Sequence, residues 1–167
     1  MITDTVLIPN VHIWHARFDW LADKYNAFES TLAADERLRA ARYLAQQMRD
    51  RFVLARGMLR AVLASYLGAI PDALRLAYGM RGKPFLPGSD LRFNLSHADG
   101  LVVLAVTHGM EIGVDVEHVR PIPEMKTMVR DNFSLSEQAA LWSLPVIDQS
   151  DAFFRIWTRK EAYVKAL

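Results

Sequence analysis

A mixed α/β fold is predicted for this chain of 167 residues by three observations. Apolar residues recur at three- and four-residue intervals between Leu44 and Tyr66, as on the buried stripe of a helix. A continuous apolar run covers 101–106, as in a strand covered on both faces. Strand-like and helix-like stretches alternate along the rest of the chain.

Val11, His12, Ile13 and Trp14 open as a strand, and two helical stretches span roughly 32–66. In the second, Leu44, Met48, Phe52, Ala55, Leu59, Val62 and Tyr66 form the apolar stripe, and Gly68 with Pro71 ends it. Arg49, Arg56 and Arg60 lie off that stripe, so they form either a solvated face or a surface for an acidic partner. Leu74, Leu76 and Tyr78 then alternate as a strand. A loop over 79–88 precedes strands at 91–95 and 101–106.

His108 and Gly109 make a turn that divides the chain into 1–109 and 110–167, with no proline- or serine-rich linker between the halves. Directly after it, Ile112, Val114 and Val116 alternate with Gly113, Asp115 and Glu117. This is the pattern of a strand that places both carboxylates on one face, ~7 Å apart. Pro121 and Pro123 bracket a connection to a short helix. Ser134 and Glu137 have capping-box spacing and start the next one. Asp148 or Ser150 caps the last helix, whose core face is Phe153, Ile156, Trp157 and Val164.

Composition excludes several classes. The hydrophobic share of 51% and net charge of +1 are those of a globular protein, not of a disordered or strongly basic nucleic-acid-binding chain. With no cysteine there is no disulfide scaffold, thiolate zinc site or cysteine nucleophile, which fits a reducing, cytoplasmic setting. No apolar stretch is long enough to span a bilayer, and the first ten residues do not read as a signal peptide.

The acidic segment 112–117 and a second one at 157–165 read together as a divalent-metal phosphate site. Two carboxylates at that separation repel by roughly 2 kcal/mol at an effective dielectric near 20. A hard cation such as Mg²⁺, which favours a few carboxylates plus phosphate oxygens, reverses the sign. In the second segment, Thr158, Glu161 and Lys165 share a helix face, which places a third carboxylate beside a cation. Arg81, Gly82, Lys83 and Pro84 put two cations around a glycine in a turn, a loop suited to a nucleotide or phosphate. Each motif by itself also occurs as a solvated strand face, an exposed helix ion pair or a charged β-turn.

Taken in order, Gly82-Lys83-Pro84, Phe93-Asn94-Leu95-Ser96-His97, Ile112-Gly113-Val114-Asp115-Val116-Glu117, Phe133 with Glu137, and Trp157-Thr158-Arg159-Lys160-Glu161-Ala162 with Lys165 resemble the 4'-phosphopantetheinyl transferases of the larger, Sfp-like type. The resemblance runs from near Val11 to the last residue. It implies two similar α/β halves with coenzyme A in the cleft between them, and transfer of its phosphopantetheine to a serine of an apo acyl, peptidyl or other carrier protein. Adenosine 3',5'-bisphosphate is then the leaving product. By the same resemblance Arg51, Arg81, Lys83 and Pro84 hold the adenine nucleotide, with Arg49 and Arg56 close to Arg51 in sequence. Asn94, Ser96 and His97 belong to the loop at the phosphates. Asp115, Glu117 and Glu161 are the Mg²⁺ ligands, and Lys160 and Lys165 lie near the pyrophosphate. Asp115, Glu161 and Lys165 are the catalytic set, with Glu161 acting as ligand or as general base. Glu137 is either supporting or only a helix cap.

Members of this family continue beyond the Lys165 helix with further strands, so the second half is expected to be incomplete in a chain that stops at Leu167. The complete protein is expected to be a monomer with no nucleic-acid or membrane partner. The truncated chain is expected to expose Ile156, Trp157 or Val164, which is an association liability. Two alternatives are a non-transferring fragment that binds coenzyme A or a carrier protein, and a Mg²⁺-dependent phosphohydrolase. The second lacks a water-activating histidine cluster.

Overall fold

The computed structural model describes residues 2–8 and 10–167, with the side chains of residues 4–8 left aside. Four antiparallel strands make the main sheet: β1 (Thr3–Ile8), β2 (Val11–Arg17), β5 (Leu91–Ala98) and β6 (Leu101–His108), in the spatial order β1-β2-β6-β5. β5 is therefore an edge strand, in register with β6 through pairs such as Asn94 with Ala105 and Ser96 with Val103. Strand β1 was not foreseen from the sequence.

One face of this sheet is apolar. Ala16, Leu91, Phe93, Val102, Leu104 and Val106 point into a core shared with α2 (Tyr25–Thr31), α3 (Ala34–Ala41) and α4 (Gln46–Leu67). A short α1 (Phe18–Leu21) and a 3-10 turn at Ala22–Lys24 lead from β2 into α2. The other face carries Arg92, Asn94 and Ser96 beside Ala105 and Thr107, of which the last four are buried. Both faces of β6 are thus covered, as its unbroken apolar run requires. Face selection follows the two-residue period of a strand, so the alternation along β5 puts Arg92, Asn94 and Ser96 on one side and Leu91, Phe93, Leu95 and His97 on the other.

Helix α4 ends where expected. Gly68 takes the left-handed conformation (φ 58°) that terminates helices, and Pro71 begins a 3-10 turn. The predicted stripe is realised only in part: Ala55, Leu59 and Val62 are buried, whereas Met48 is half exposed and Leu44 lies before the helix in full contact with solvent. Arg60 was expected on an outer face and is instead 1% exposed. Its guanidinium donates to Glu36 Oε2 at 2.6 Å and to the carbonyls of Pro71 and Leu74, a buried charge made tolerable by an opposite charge and these three hydrogen bonds. Arg56 also faces Glu36, at 3.4 Å, with its guanidinium over the rings of Phe52 and Tyr78.

The predicted strand at 74–78 is reduced to β3 (Ala77–Tyr78), which pairs with β4 (Pro84–Phe85) and turns the loop 79–83 back as a small hairpin. A larger departure concerns 112–117, where no strand forms among the described residues. Its polar backbone groups go elsewhere: the Val114 N–H donates to the Asn94 side chain, and the Ile112 carbonyl accepts from Lys83. A ladder needs a neighbouring backbone, and side chains have taken its place here. All six residues are half-buried, so the expected alternation of buried and exposed faces is absent.

Helices α5 (Met125–Asn132), α6 (Leu135–Trp142) and α7 (Val146–Ala166) form a second core around Val129, Phe133, Leu141, Phe153 and Phe154. The Ser134–Glu137 capping box is present. Helix α7 starts earlier than expected, with Pro145 rather than Asp148 or Ser150 at its N-cap. Proline has no N–H to satisfy and can sit where the chain enters the helix. Ile156 and Trp157 pack partly on the second core, with Trp157 stacked on Phe153 at 5.7 Å, while Val164 is half exposed.

Candidate active site

Strand β5, the segment 111–117 and the C-terminal turn of α7 meet on the polar face of the sheet. Asn94 and Ser96 are two residues apart on β5 and so project the same way. Asn94 Oδ1 accepts the Val114 N–H at 2.9 Å, and Ser96 Oγ donates to Asp115 Oδ1 at 3.0 Å. Lys165 Nζ reaches the same carboxylate oxygen at 2.5 Å and Ser96 Oγ at 3.2 Å. An ammonium in the last turn of a helix is favoured by the partial negative charge of the unpaired carbonyls there.

Asp115 is nearly enclosed, with 5% of its side chain exposed. Its second oxygen, Oδ2, is buried without a hydrogen-bond partner. A carboxylate oxygen in that condition suits a cation better than it suits protein. Among the described residues no group of three or more His, Cys, Asp or Glu side chains is drawn together for a metal. Glu117 lies 3.5 Å from Arg120, and Glu161 is half-buried on α7 without a hydrogen bond or ion pair among the described residues.

The segment can lie this close to α7 because residue 113 is glycine. A Cβ there would fall 1.9 Å from the Ala162 carbonyl oxygen and 2.7 Å from the Ala166 nitrogen. Lys83 fastens the same junction from the hairpin loop, donating to Glu111 Oε2 and the Ile112 carbonyl at 3.1 Å and to the Ala166 carbonyl at 3.4 Å. Glu111, beside the acidic motif but not singled out from the sequence, also takes Arg92 at 2.9 Å. Lys83 and Arg92 hold its pKa below the usual carboxylate value. The signal was a further carboxylate directly before the motif.

A cleft of about 820 Å³ opens beside this junction, lined by the loop 79–89, Asn94, Glu111 and Lys165. Arg81, Lys83 and Pro84 all line it, Arg81 from an exposed position. A smaller cavity of about 340 Å³ shares Pro84, Asn94 and Lys165 with the cleft and adds Arg39, Tyr43, Arg56 and His97. His97 packs edge-on against Phe18, whose ring also carries the Arg51 guanidinium at 5.9 Å. Desolvation of the imidazole, with the cations Arg51 and Lys165 nearby, pushes its pKa below 6.5, so it is neutral at pH 7.

Lys160 stands apart from this group. Its ammonium donates to Glu137 Oε2 at 2.7 Å, and the two line a separate cavity with Arg159 and Tyr163. Glu137 also accepts the Ser134 N–H, and these contacts lower its pKa. Arg51, Lys83, Asn94, Ser96, His97, Asp115 and Lys165 are thus linked by contacts or shared charge, whereas Glu161 and Lys160 are not joined to them.

Cations arranged around a buried carboxylate beside a cleft suit a ligand carrying several phosphate groups. The chain belongs to the 4'-phosphopantetheinyl transferase superfamily: residues 111–167 match the model of that superfamily, and residues 18–109 match the model of the 4'-phosphopantetheinyl transferase N-terminal region. It is 39% identical over 166 residues to the 4'-phosphopantetheinyl transferase HetI of Nostoc sp., covering 97% of this chain and 70% of HetI. It is 39% identical over 107 residues to the 4'-phosphopantetheinyl transferase AcpT of Salmonella typhimurium, covering 64% of this chain and 54% of AcpT. No helix among the described residues is long and apolar enough to cross a membrane.

Proposed function

We propose that the chain carries the catalytic face of a phosphopantetheinyl transferase of the larger, Sfp-like type, acting in the cytoplasm. The substrate is coenzyme A, and the acceptor is a serine hydroxyl of an apo carrier protein. The serine oxygen bonds to the phosphorus that bears pantetheine while that phosphorus loses its bond to the bridging pyrophosphate oxygen, and adenosine 3',5'-bisphosphate departs. Family membership supports the reading. The observation that carries it is the Asp115 carboxylate, with one oxygen bonded to Lys165 and Ser96 and the other buried without a partner.

Asp115 and Glu117, with Glu161 as a third donor, would hold Mg²⁺. Few protein ligands are needed, because Mg²⁺ commonly takes one or two carboxylates and completes its shell with phosphate oxygens and water. The ion supplies charge neutralisation at the pyrophosphate. Lys165 would stabilise or protonate the leaving oxygen, and Glu161 would accept the serine proton directly or through water, help worth about 10² to 10⁴ in rate. Arg81, Lys83 and Pro84, which line the cleft, would hold the adenine nucleotide. Arg51 and neutral His97 would provide a cation and an N–H for a phosphate. Such transfers depend mainly on positioning and charge, which is what these residues provide.

The test mixes the protein with Mg²⁺, coenzyme A and an apo carrier protein and weighs the carrier. Addition of one phosphopantetheine supports the reading. Coenzyme A cleavage with an unmodified carrier means a hydrolase, and binding without either means a binding module.

A further inference from the structure

We propose that Asn94 is a positioning residue that sets the Asp115 carboxylate, rather than a contact for the nucleotide; the functional part of this inference rests on the transferase reading above. Asn94 is 7% exposed, and its Oδ1 already accepts the Val114 N–H at 2.9 Å. Val114 and Asp115 are adjacent in the segment, just as Asn94 and Ser96 are successive residues of one face of β5. Two neighbouring points on the strand therefore hold two neighbouring residues of the segment, one by its backbone and one by its side chain. Among the described residues no strand ladder holds 112–117, so this side-chain-to-backbone bond does the work of a ladder bond. Lys83 at Ile112 and the close seat of Gly113 on α7 fix the preceding residues. Val114 is the step between that seat and the catalytic carboxylate. Loss of its acceptor leaves Asp115 to be positioned by Ser96 and Lys165 alone, and a shift of under an ångström matters where charge must meet a pyrophosphate.

The experiment combines amide exchange and carboxyl chemical shifts by NMR with transfer kinetics on Asn94→Ala and Asn94→Asp, the latter retaining an acceptor of the same shape. In Asn94→Ala the Val114 amide should exchange at least about tenfold faster while the ladder amides of β6 keep their protection, and the Asp115 carboxyl resonance should move. Its kcat should fall by about tenfold or more with the KM for coenzyme A unchanged within about twofold. Asn94→Asp should restore Val114 protection and bring kcat to within about threefold of the parent. Unchanged Val114 exchange in Asn94→Ala overturns the proposal. So does a raised KM for coenzyme A at constant kcat, which would mean direct contact. Where Asn94→Ala does not fold, Asn94→Asp decides alone: loss of Val114 protection or of kcat overturns the inference, and retention of both supports it. If the parent chain transfers nothing, the transferase reading fails, and the exchange rate with the Asp115 resonance still decides what Asn94 holds.

Discussion

Lys165 Nζ lies 2.5 Å from Asp115 Oδ1, joining the last turn of α7 to a segment 50 residues earlier in the chain. The contact is partly enclosed, with 5% of the Asp115 side chain and 32% of the Lys165 side chain exposed. It is the point at which the charge of the acidic segment and the charge of the terminal helix become a single site.

Replacement of Asp115 by Asn should therefore act on both stability and rate. The ammonium of Lys165 loses its counter-charge, at a cost of about 1 to 3 kcal/mol. That corresponds to a Tm lower by several degrees, at roughly 2 to 4 °C per kcal/mol for a chain of this size. Transfer should fall by at least about 10², the scale of several kcal/mol of lost transition-state stabilisation. Thermal denaturation and carrier mass spectrometry read the two effects, and unchanged transfer would remove Asp115 from the catalytic set.

Gly113→Ala should open the junction between the segment and α7. Its added methyl would meet the Ala162 carbonyl at 1.9 Å, and backbone cannot yield as a flexible side-chain end does. Overpacking of this kind costs typically about 1 to 3 kcal/mol. Gly79→Ala is the control, because the nearest atom to its Cβ is 3.7 Å away. Equal urea midpoints for the two variants would contradict the close seat described for residue 113.

Glu36 and Arg60 are each 1% exposed and bonded at 2.6 Å. Arg60→Ala should destabilise by about 3 to 5 kcal/mol, since it takes the nearer of two guanidinium partners from a buried carboxylate, leaving only Arg56 at 3.4 Å, and also removes packing. Arg60→Met with Glu36→Gln should be milder than Arg60→Ala, because the buried carboxylate is gone, the apolar volume is kept, and Arg56 retains its contacts with the Phe52 and Tyr78 rings. A double variant no more stable than the single one, in urea unfolding, would show that charge is not the main cost.

His97 sets a pH dependence. Its folded pKa lies below the ordinary 6.5, so the unfolded chain takes up the proton first as pH falls. The stability contribution is complete above about 6.5 and is lost between that value and the folded pKa. A bound phosphate favours the imidazolium, so binding of adenosine 3',5'-bisphosphate at about pH 6 should take up protons. Calorimetry in two buffers of different ionisation heat measures this uptake. Identical enthalpies would place His97 away from the phosphate.

How much was legible in the sequence depended on the range of the interactions involved. The α4 stop at Gly68, the Ser134–Glu137 capping box and the doubly covered β6 are set by residues within a few positions of one another or by unbroken apolarity, and all three appear as read. Gly82-Lys83-Pro84, Asn94-Leu95-Ser96-His97 and the two acidic segments could likewise be picked out as one family pattern. Tertiary structure decided which groups meet. Arg60 has the spacing of an outer-face residue, yet Glu36 and two distant carbonyls draw it inside. Residues 112–117 have the period of a strand but no ladder partner among the described residues, and Asn94, Lys83 and α7 hold them instead. The pairing of Lys165 with Asp115 spans 50 residues, and that of Asn94 with Val114 spans 20. Periodicity records which side of an element faces inward, but the partner waiting there is supplied by the rest of the fold.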